Sequence, residues 1–118
     1  MIIGTGVDIT EVSRLRKAVE KWGEEFLSRV FTPEELKNAK TRGSLYQHLA
    51  GRFAAKEAVF KALGDQGLTW KDVQILNDKQ GKPCCRILNG RAKNAQVLLS
   101  ISHVKNYAVA NAIITQKP

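Results

Sequence analysis

Ala50-Gly51-Arg52-Phe53-Ala54-Ala55-Lys56-Glu57-Ala58-Val59-Phe60-Lys61-Ala62-Leu63-Gly64 is the stretch that organises this chain. At 100° per residue, Leu49, Phe53, Phe60 and Leu63 fall on one helical face. The pattern predicts a long helix over 45–63, with Gly64 as its C-terminal cap. Lys56 projects into the middle of the apolar face and Arg52 borders it. A cation in an apolar stripe breaks the local rule, and such breaks favour functional sites. Glu57 and Lys61 stand four apart on a different face. Ala50, Ala54 and Ala58 leave room there for something to lie against the helix. Plain readings stay open beside these: Glu57 with Lys61 as an exposed ion pair, and Lys56 as a cation running along the apolar face to water.

Upstream, residues 1–8 read as a strand ending at a carboxylate, Asp8. Gly4 and Gly6 interrupt it, which predicts a bulge or a close backbone approach. Thr10 is placed to cap a first helix over roughly 11–21. That helix carries Val12, Leu15, Val19 and Trp22 on one stripe, with Arg14, Lys17 and Lys21 nearly opposite. Residues 24–30 read as helical. Thr32-Pro33-Glu34-Glu35 combines a Thr N-cap, Pro at the first helical position and Glu three after the cap, a capping box that starts a short helix over 33–40. Residues 41–44 read as a turn.

After Gly64 the period changes from helical to alternating. Val73 and Ile75 alternate with polar residues, 77–83 is a turn cluster and 84–88 a second strand, so a hairpin is expected. Residues 90–95 read as a connection. Strands over 97–102 and 108–114 follow, joined by 103–107. Helices in the first half and strands in the second, with one strand at the start, give an α+β fold: a mostly antiparallel sheet packed on the long helix. The 118 residues suit one domain spanning 1–118.

Lys and Arg total 19 against 11 Asp and Glu, a formal net charge of +8. Such a charge attracts polyanions without choosing among nucleic acid, membrane surface, phosphorylated cofactors and acidic proteins. No apolar run approaches the ~18 residues of a membrane helix. The opening segment has no basic residue ahead of its apolar ones and does not read as a signal peptide. Cys84 and Cys85 are adjacent, a spacing that rarely closes a disulfide. They read as reduced thiols on opposite faces of a strand, in keeping with a cytoplasmic location. A nucleic-acid module is the rival reading of the charge, but it wants exposed aromatics for stacking. Here aromatics are 7%, and Phe53 and Phe60 lie on an apolar face.

Asp8 and Glu57 together offer two hard oxygen ligands. Mg²⁺ takes one or two carboxylates and completes its shell with waters and phosphate oxygens. Arg52, Lys56 and Lys61 are then candidates for phosphates outside the metal's reach. Ile101-Ser102-His103 closes a strand, and His103 is a candidate phosphate donor or acid–base group. A turn-capping Asp8 and a solvent-facing His103 remain the plain alternatives. His48 reads as an ordinary helix-surface residue.

Taken together, Gly4-Thr5-Gly6-Val7-Asp8-Ile9, Gly51-Arg52-Phe53-Ala54-Ala55-Lys56-Glu57-Ala58 with Lys61-Ala62-Leu63-Gly64, and Ile101-Ser102-His103 resemble the small, single-domain holo-acyl-carrier-protein synthases of the 4′-phosphopantetheinyl transferase superfamily. Phe31-Thr32-Pro33-Glu34-Glu35-Leu36 is similar as well, so the resemblance spans essentially the whole chain. It implies transfer of 4′-phosphopantetheine from coenzyme A to a serine of apo-acyl-carrier protein, leaving adenosine 3′,5′-bisphosphate. It also implies a homotrimer with coenzyme A in clefts between subunits. By position, the resemblance makes Asp8 and Glu57 the Mg²⁺ ligands and Lys61 the cation beside the diphosphate. It sets Arg52, Lys56, Gly64, Pro83 and His103 along coenzyme A, and Arg14, with Lys17 and Lys21, against an acidic carrier protein. The nucleophile then belongs to the partner, and Glu57 is the candidate acceptor of its proton. A non-catalytic carrier-protein adaptor is the third reading; the intact Asp8, Glu57 and Lys61 argue against it.

Overall fold

A long helix forms the spine of the molecule in the computed structural model, which describes residues 1–64, 67–90 and 92–118. The elements run β1 (Ile2–Glu11), α1 (Val12–Trp22), α2 (Glu24–Val30), α3 (Pro33–Lys40), α4 (Leu45–Leu63), a 3₁₀ turn (Trp70–Asp72), β2 (Val73–Asn77), β3 (Pro83–Ile87), β4 (Ala95–His103) and β5 (Tyr107–Gln116). The strands form a three-stranded sheet, β1-β5-β4, and a β2-β3 hairpin. Every pairing is antiparallel. The expected α+β class and the helix over 45–63 are thus observed. Of the connection expected over 90–95, Arg91 lies outside the described residues.

α4 is buried on more than one side, from Leu49 and Ala50 through Ala54 and Ala55 to Ala58 and Val59. A helix apolar all round is one enclosed by its neighbours. One core joins Ala54, Ala55, Ala58 and Val59 to Val73, Ile75, Leu99, Ala110 and Ala112. The second joins Leu49 and Ala50 to Val12, Leu15, Val30, Phe31, Ala39 and Ala108. Trp70 closes the far side, stacked on Phe53 with ring centroids 4.9 Å apart and edge-on to Phe60 at 5.1 Å.

The space left by the small residues of α4 is filled by the chain's own first strand. A Cβ on Gly6 would lie 2.1 Å from the Ala58 carbonyl oxygen, and one on Gly4 would lie 2.1 Å from that of Ala62. Only glycine allows strand and helix backbones this close. The register also shifts between Ile2 and Gly4. Both expectations for the two glycines therefore hold, and the gap beside Ala58 is a packing surface.

Two local expectations fail. β1 continues to Glu11, which is the N-cap of α1 and makes no side-chain capping bond. Thr10 is instead buried in the strand and donates its hydroxyl to Asp8 Oδ2 at 3.2 Å. Strand pairing with Ala108 holds Thr10 extended, and this outweighs its local capping preference. Asp8, likewise, caps no turn.

The capping box at Thr32 forms as expected: Glu35 N–H donates to Thr32 Oγ1 at 3.2 Å, and Thr32 N–H to Glu35 Oε1 at 2.8 Å. Gly64 ends α4 at φ 72°, with its N–H on the Phe60 carbonyl. Among the described residues no helix is long and apolar enough to cross a membrane.

Candidate functional site

β1 and α4 bring the two expected carboxylates together. Asp8, Glu57 and Arg14 line one cleft of about 380 Å³, with Phe26 and Phe53 among its other walls. The alternation of β1 turns Gly4, Gly6 and Asp8 toward α4, because successive side chains point to opposite faces. Ala58 lies against Gly6, so its neighbour Glu57 is held at the level of Asp8, one alternate position further on. Burial, then the charge of Asp8, raises the Glu57 carboxyl above its ordinary 4.5, with Lys61 opposing. Two like charges repel in this way only when close. Lys61 Nζ donates to Asp8 Oδ1 at 3.2 Å and to the Val7 carbonyl at 3.1 Å. Its ion pair is therefore with Asp8, across 53 residues, where the spacing alone offered Glu57.

Lys56 is a correction. Its ammonium is fully buried and neither reaches water nor faces a cleft. Nζ lies 2.6 Å from Glu35 Oε1 and donates to the Val30 and Trp70 carbonyls at 2.8 and 3.0 Å. Three acceptors consume its three protons, leaving none for a phosphate. The other Glu35 oxygen accepts from Ile75 N–H at 2.7 Å. The Lys56–Glu35 pair thus ties α4, α3, β2 and the end of α2 into one body. Glu35 carries an N-cap bond, a strand amide and an ion pair at once, and the sequence signals only the first of these.

A second group of basic residues occupies another edge of the molecule. Arg52 is buried and donates through Nη2 to Asn77 Oδ1 at 2.8 Å. Asn77 pairs with Pro83 in the hairpin, so Arg52 and Pro83 are neighbours through it. His103 ends β4, exposed, opposite Ala108. His48 corrects its plain reading: it is half-buried, and its Nε2 has no hydrogen-bond partner among the described residues. Burial, then the charges of Arg52, Arg42 and His103, lowers it to about 4.

The first cluster lies at β1 and the second at β4 and the hairpin, with β5 between the two strands. Among the described residues, the Asp8–Glu57 cleft is not lined by Arg52, Pro83 or His103. Gly64 is exposed at the end of α4, next to the Lys61 turn. Arg14, Lys17 and Lys21 are all exposed on α1, where Arg14 reaches the Asp8–Glu57 cleft and Lys21 Nζ lies 4.9 Å from the Trp22 ring centroid.

Residues 4–112 match the 4′-phosphopantetheinyl transferase superfamily. The chain belongs to that superfamily. The holo-[acyl-carrier-protein] synthase of Thermodesulfovibrio yellowstonii is 47% identical over 116 residues, covering 98% of this chain and 100% of the relative. That of Protochlamydia amoebophila is 47% identical over 119 residues, covering 96% and 98%. Among solved structures, the synthase of Neisseria meningitidis superposes with a TM-score of 0.90 at 32% identity, over 98% of this chain and 100% of its own. That of Bacillus anthracis, in complex with CoA (3′,5′-ADP), does so at 0.85 and 36%, over 100% and 99%. The superfamily resemblance drawn from the motifs is therefore established along the whole chain, and the α+β fold with it.

Proposed function

We propose that this chain, like the relatives it matches, is a holo-[acyl-carrier-protein] synthase, and that it transfers 4′-phosphopantetheine from coenzyme A to a serine hydroxyl of apo-acyl-carrier protein. The serine oxygen forms a bond to the β-phosphorus of the diphosphate. The bond from that phosphorus to the bridging oxygen breaks, and adenosine 3′,5′-bisphosphate leaves. The observation that carries the reading is the meeting of Asp8 and Glu57 in one cleft, with Lys61 bonded to Asp8, beside a first helix with a basic exposed face.

Asp8 and Glu57 fit a Mg²⁺ ion. Their mutual repulsion is what a cation relieves, and two carboxylates are a donor set that Mg²⁺ accepts when phosphate completes its shell. Among the described residues no group of three or more His, Cys, Asp or Glu is poised for a metal, so the ion would depend on substrate oxygens. When bound, Mg²⁺ neutralises charge on the diphosphate. Lys61, fixed by Asp8 and the Val7 carbonyl, is placed to stabilise the same charge on the departing phosphate. Glu57 is the candidate acceptor of the serine proton. Arg14, Lys17 and Lys21 present a cationic face to an acidic carrier, which speeds encounter and sets orientation more than it adds affinity.

A complete site in this reading takes two copies of the chain in a homotrimer, one giving Asp8, Glu57 and Lys61 and the next giving Arg52, Pro83 and His103 to coenzyme A. The sheet face away from α4 supports it: Val7 is 57% exposed, Ile9 65%, Leu98 43% and Tyr107 46%. That apolar face is of the kind covered in assemblies. The substrate and the two free thiols accord with the cytoplasm.

Incubation with coenzyme A, Mg²⁺ and apo-carrier protein, followed by weighing the carrier, is the test. The expected result is a mass gain of one phosphopantetheine. An unchanged carrier, where a competent control enzyme modifies it, overturns the proposal.

A further inference from the structure

Thr10 carries an inference that deepens the transferase reading and rests on it for the identity of the ion. Gly4, Gly6, Asp8 and Thr10 share the less exposed side of β1, which meets α4, because successive side chains of a strand point to opposite faces. The strand is glycine where the helix backbone presses closest, and it carries polar side chains where it passes the cleft that Asp8, Thr10 and Glu57 line. At 9% exposure, Thr10 stands where valine would fill the same shape in a strand. Burying a hydroxyl there costs free energy unless it is hydrogen-bonded. Its one proton goes to Asp8 Oδ2 at 3.2 Å. Lys61 Nζ holds the other oxygen, Oδ1, at 3.2 Å.

The two anchors differ in stiffness. The Lys61 side chain is 55% exposed on a long stem, and an exposed ion pair fixes geometry weakly. Thr10 is buried and β-branched, and its backbone is held by pairing with Ala108, a core residue. With one anchor on each oxygen, turning the Asp8 carboxylate about its Cβ–Cγ bond strains both contacts. Each oxygen has two lone-pair sites, so each keeps one for a cation. Glu57 in the same cleft repels Asp8 when both are ionised. Without the Thr10 tether, Asp8 is free to turn away from that charge.

We propose that Thr10 is a positioning residue for the divalent ion: its hydroxyl fixes the Asp8 carboxylate in the orientation that shares an ion with Glu57. Thr10 acts through Asp8 and ligates nothing itself. Hydrogen-bond partners of metal-binding side chains are worth about 10–100-fold in metal affinity. Removing the Thr10 hydroxyl therefore weakens ion binding by that factor, while a β-branched replacement preserves the strand.

The test is Mn²⁺ titration in the presence of coenzyme A, followed by electron paramagnetic resonance, on the wild type, Thr10→Val, Thr10→Ala and Thr10→Ser. Thr10→Val and Thr10→Ala should each bind the ion about 10–100-fold more weakly. Thr10→Ser, which keeps the donor and loses the methyl, should recover most of that loss. Coenzyme A affinity measured by calorimetry in chelator, without a divalent ion, should be the same in every variant; damage to the packing of β1 would not spare it. Two hydroxyl-free variants are made so that if one fails to fold the other is read. Wild-type Mn²⁺ affinity in Thr10→Val overturns the inference and leaves the carboxylate site intact. An equal loss in Thr10→Ser, a matching loss of coenzyme A affinity in chelator, or unfolding of both hydroxyl-free variants assigns Thr10 a packing role and also overturns it. A wild-type protein that binds no Mn²⁺ beside coenzyme A overturns both the inference and the metal reading beneath it.

Discussion

Replacing Gly6 with alanine puts the fit between β1 and α4 under direct strain. The added Cβ would sit 2.1 Å from the Ala58 carbonyl oxygen and 2.9 Å from Ala62 N, both backbone atoms with no rotamer to yield. Ordinary contact begins near 3.4 Å, so the strand would have to retreat by about 1.3 Å. Overpacking of this kind costs about 1–3 kcal/mol, and contact with the helix backbone at both Ala58 and Ala62 places Gly6→Ala at the upper end, about 3 kcal/mol. Asp8 lies two residues along and would move with the strand, away from Glu57. A misplacement of about 1 Å in a catalytic group costs on the order of 10²-fold in rate. Urea unfolding should therefore show a lower midpoint with an unchanged slope, and the carrier-mass assay a rate down about a hundredfold at temperatures where the variant is folded. A Gly6→Ala protein with wild-type midpoint and wild-type rate would refute the reasoning that glycine sets the distance between the two carboxylates.

Other outcomes follow from single contacts. Lys56→Met should lose about 3–5 kcal/mol of stability, because it leaves Glu35 buried and charged. Lys56→Met with Glu35→Gln should cost less than Lys56→Met alone; a single variant within about 1 kcal/mol of wild type by urea unfolding would remove the pair's structural role. Arg14→Glu should raise the carrier-protein KM with coenzyme A binding retained, measured by calorimetry, and equal loss of both would place the docking face elsewhere. Burial pushes the Cys85 thiol up to about 12, whereas Cys84 is exposed. Brief alkylation of the folded protein at mildly alkaline pH, read by peptide mass, should therefore modify Cys84 first, since the thiolate is the nucleophile; faster labelling of Cys85 would contradict its burial.

Features carried by short-range pattern were legible in the sequence. The spacing of Leu49, Phe53, Phe60 and Leu63 located α4, and the capping box located α3. The two glycines of β1 announced a close approach without saying to what. Pairings across long separations were not legible. Lys56 breaks an apolar stripe, which reads the same whether its partner is a phosphate or, as found, Glu35 twenty-one positions earlier. Lys61 had a carboxylate at helical spacing, yet it pairs with Asp8 from β1. Thr10 has a capping side chain, but pairing with Ala108 keeps it in the strand. His48 sat one turn from Arg52 in plain view. Its partial burial, with Nε2 unpartnered among the described residues, came only from the packing around α4. The separation of the carboxylate cluster from the Arg52–His103 edge likewise depends on strand order, which motif order along the chain does not reveal.

Binding of a divalent ion by Asp8 and Glu57 is most directly measured with Mn²⁺ as a paramagnetic stand-in for Mg²⁺, titrated in the presence of coenzyme A. One ion per site in the wild type is expected, with binding lost in Asp8→Ala and in Glu57→Ala while circular dichroism shows both variants folded. Wild-type Mn²⁺ affinity in both variants would contradict a metal held between these two side chains.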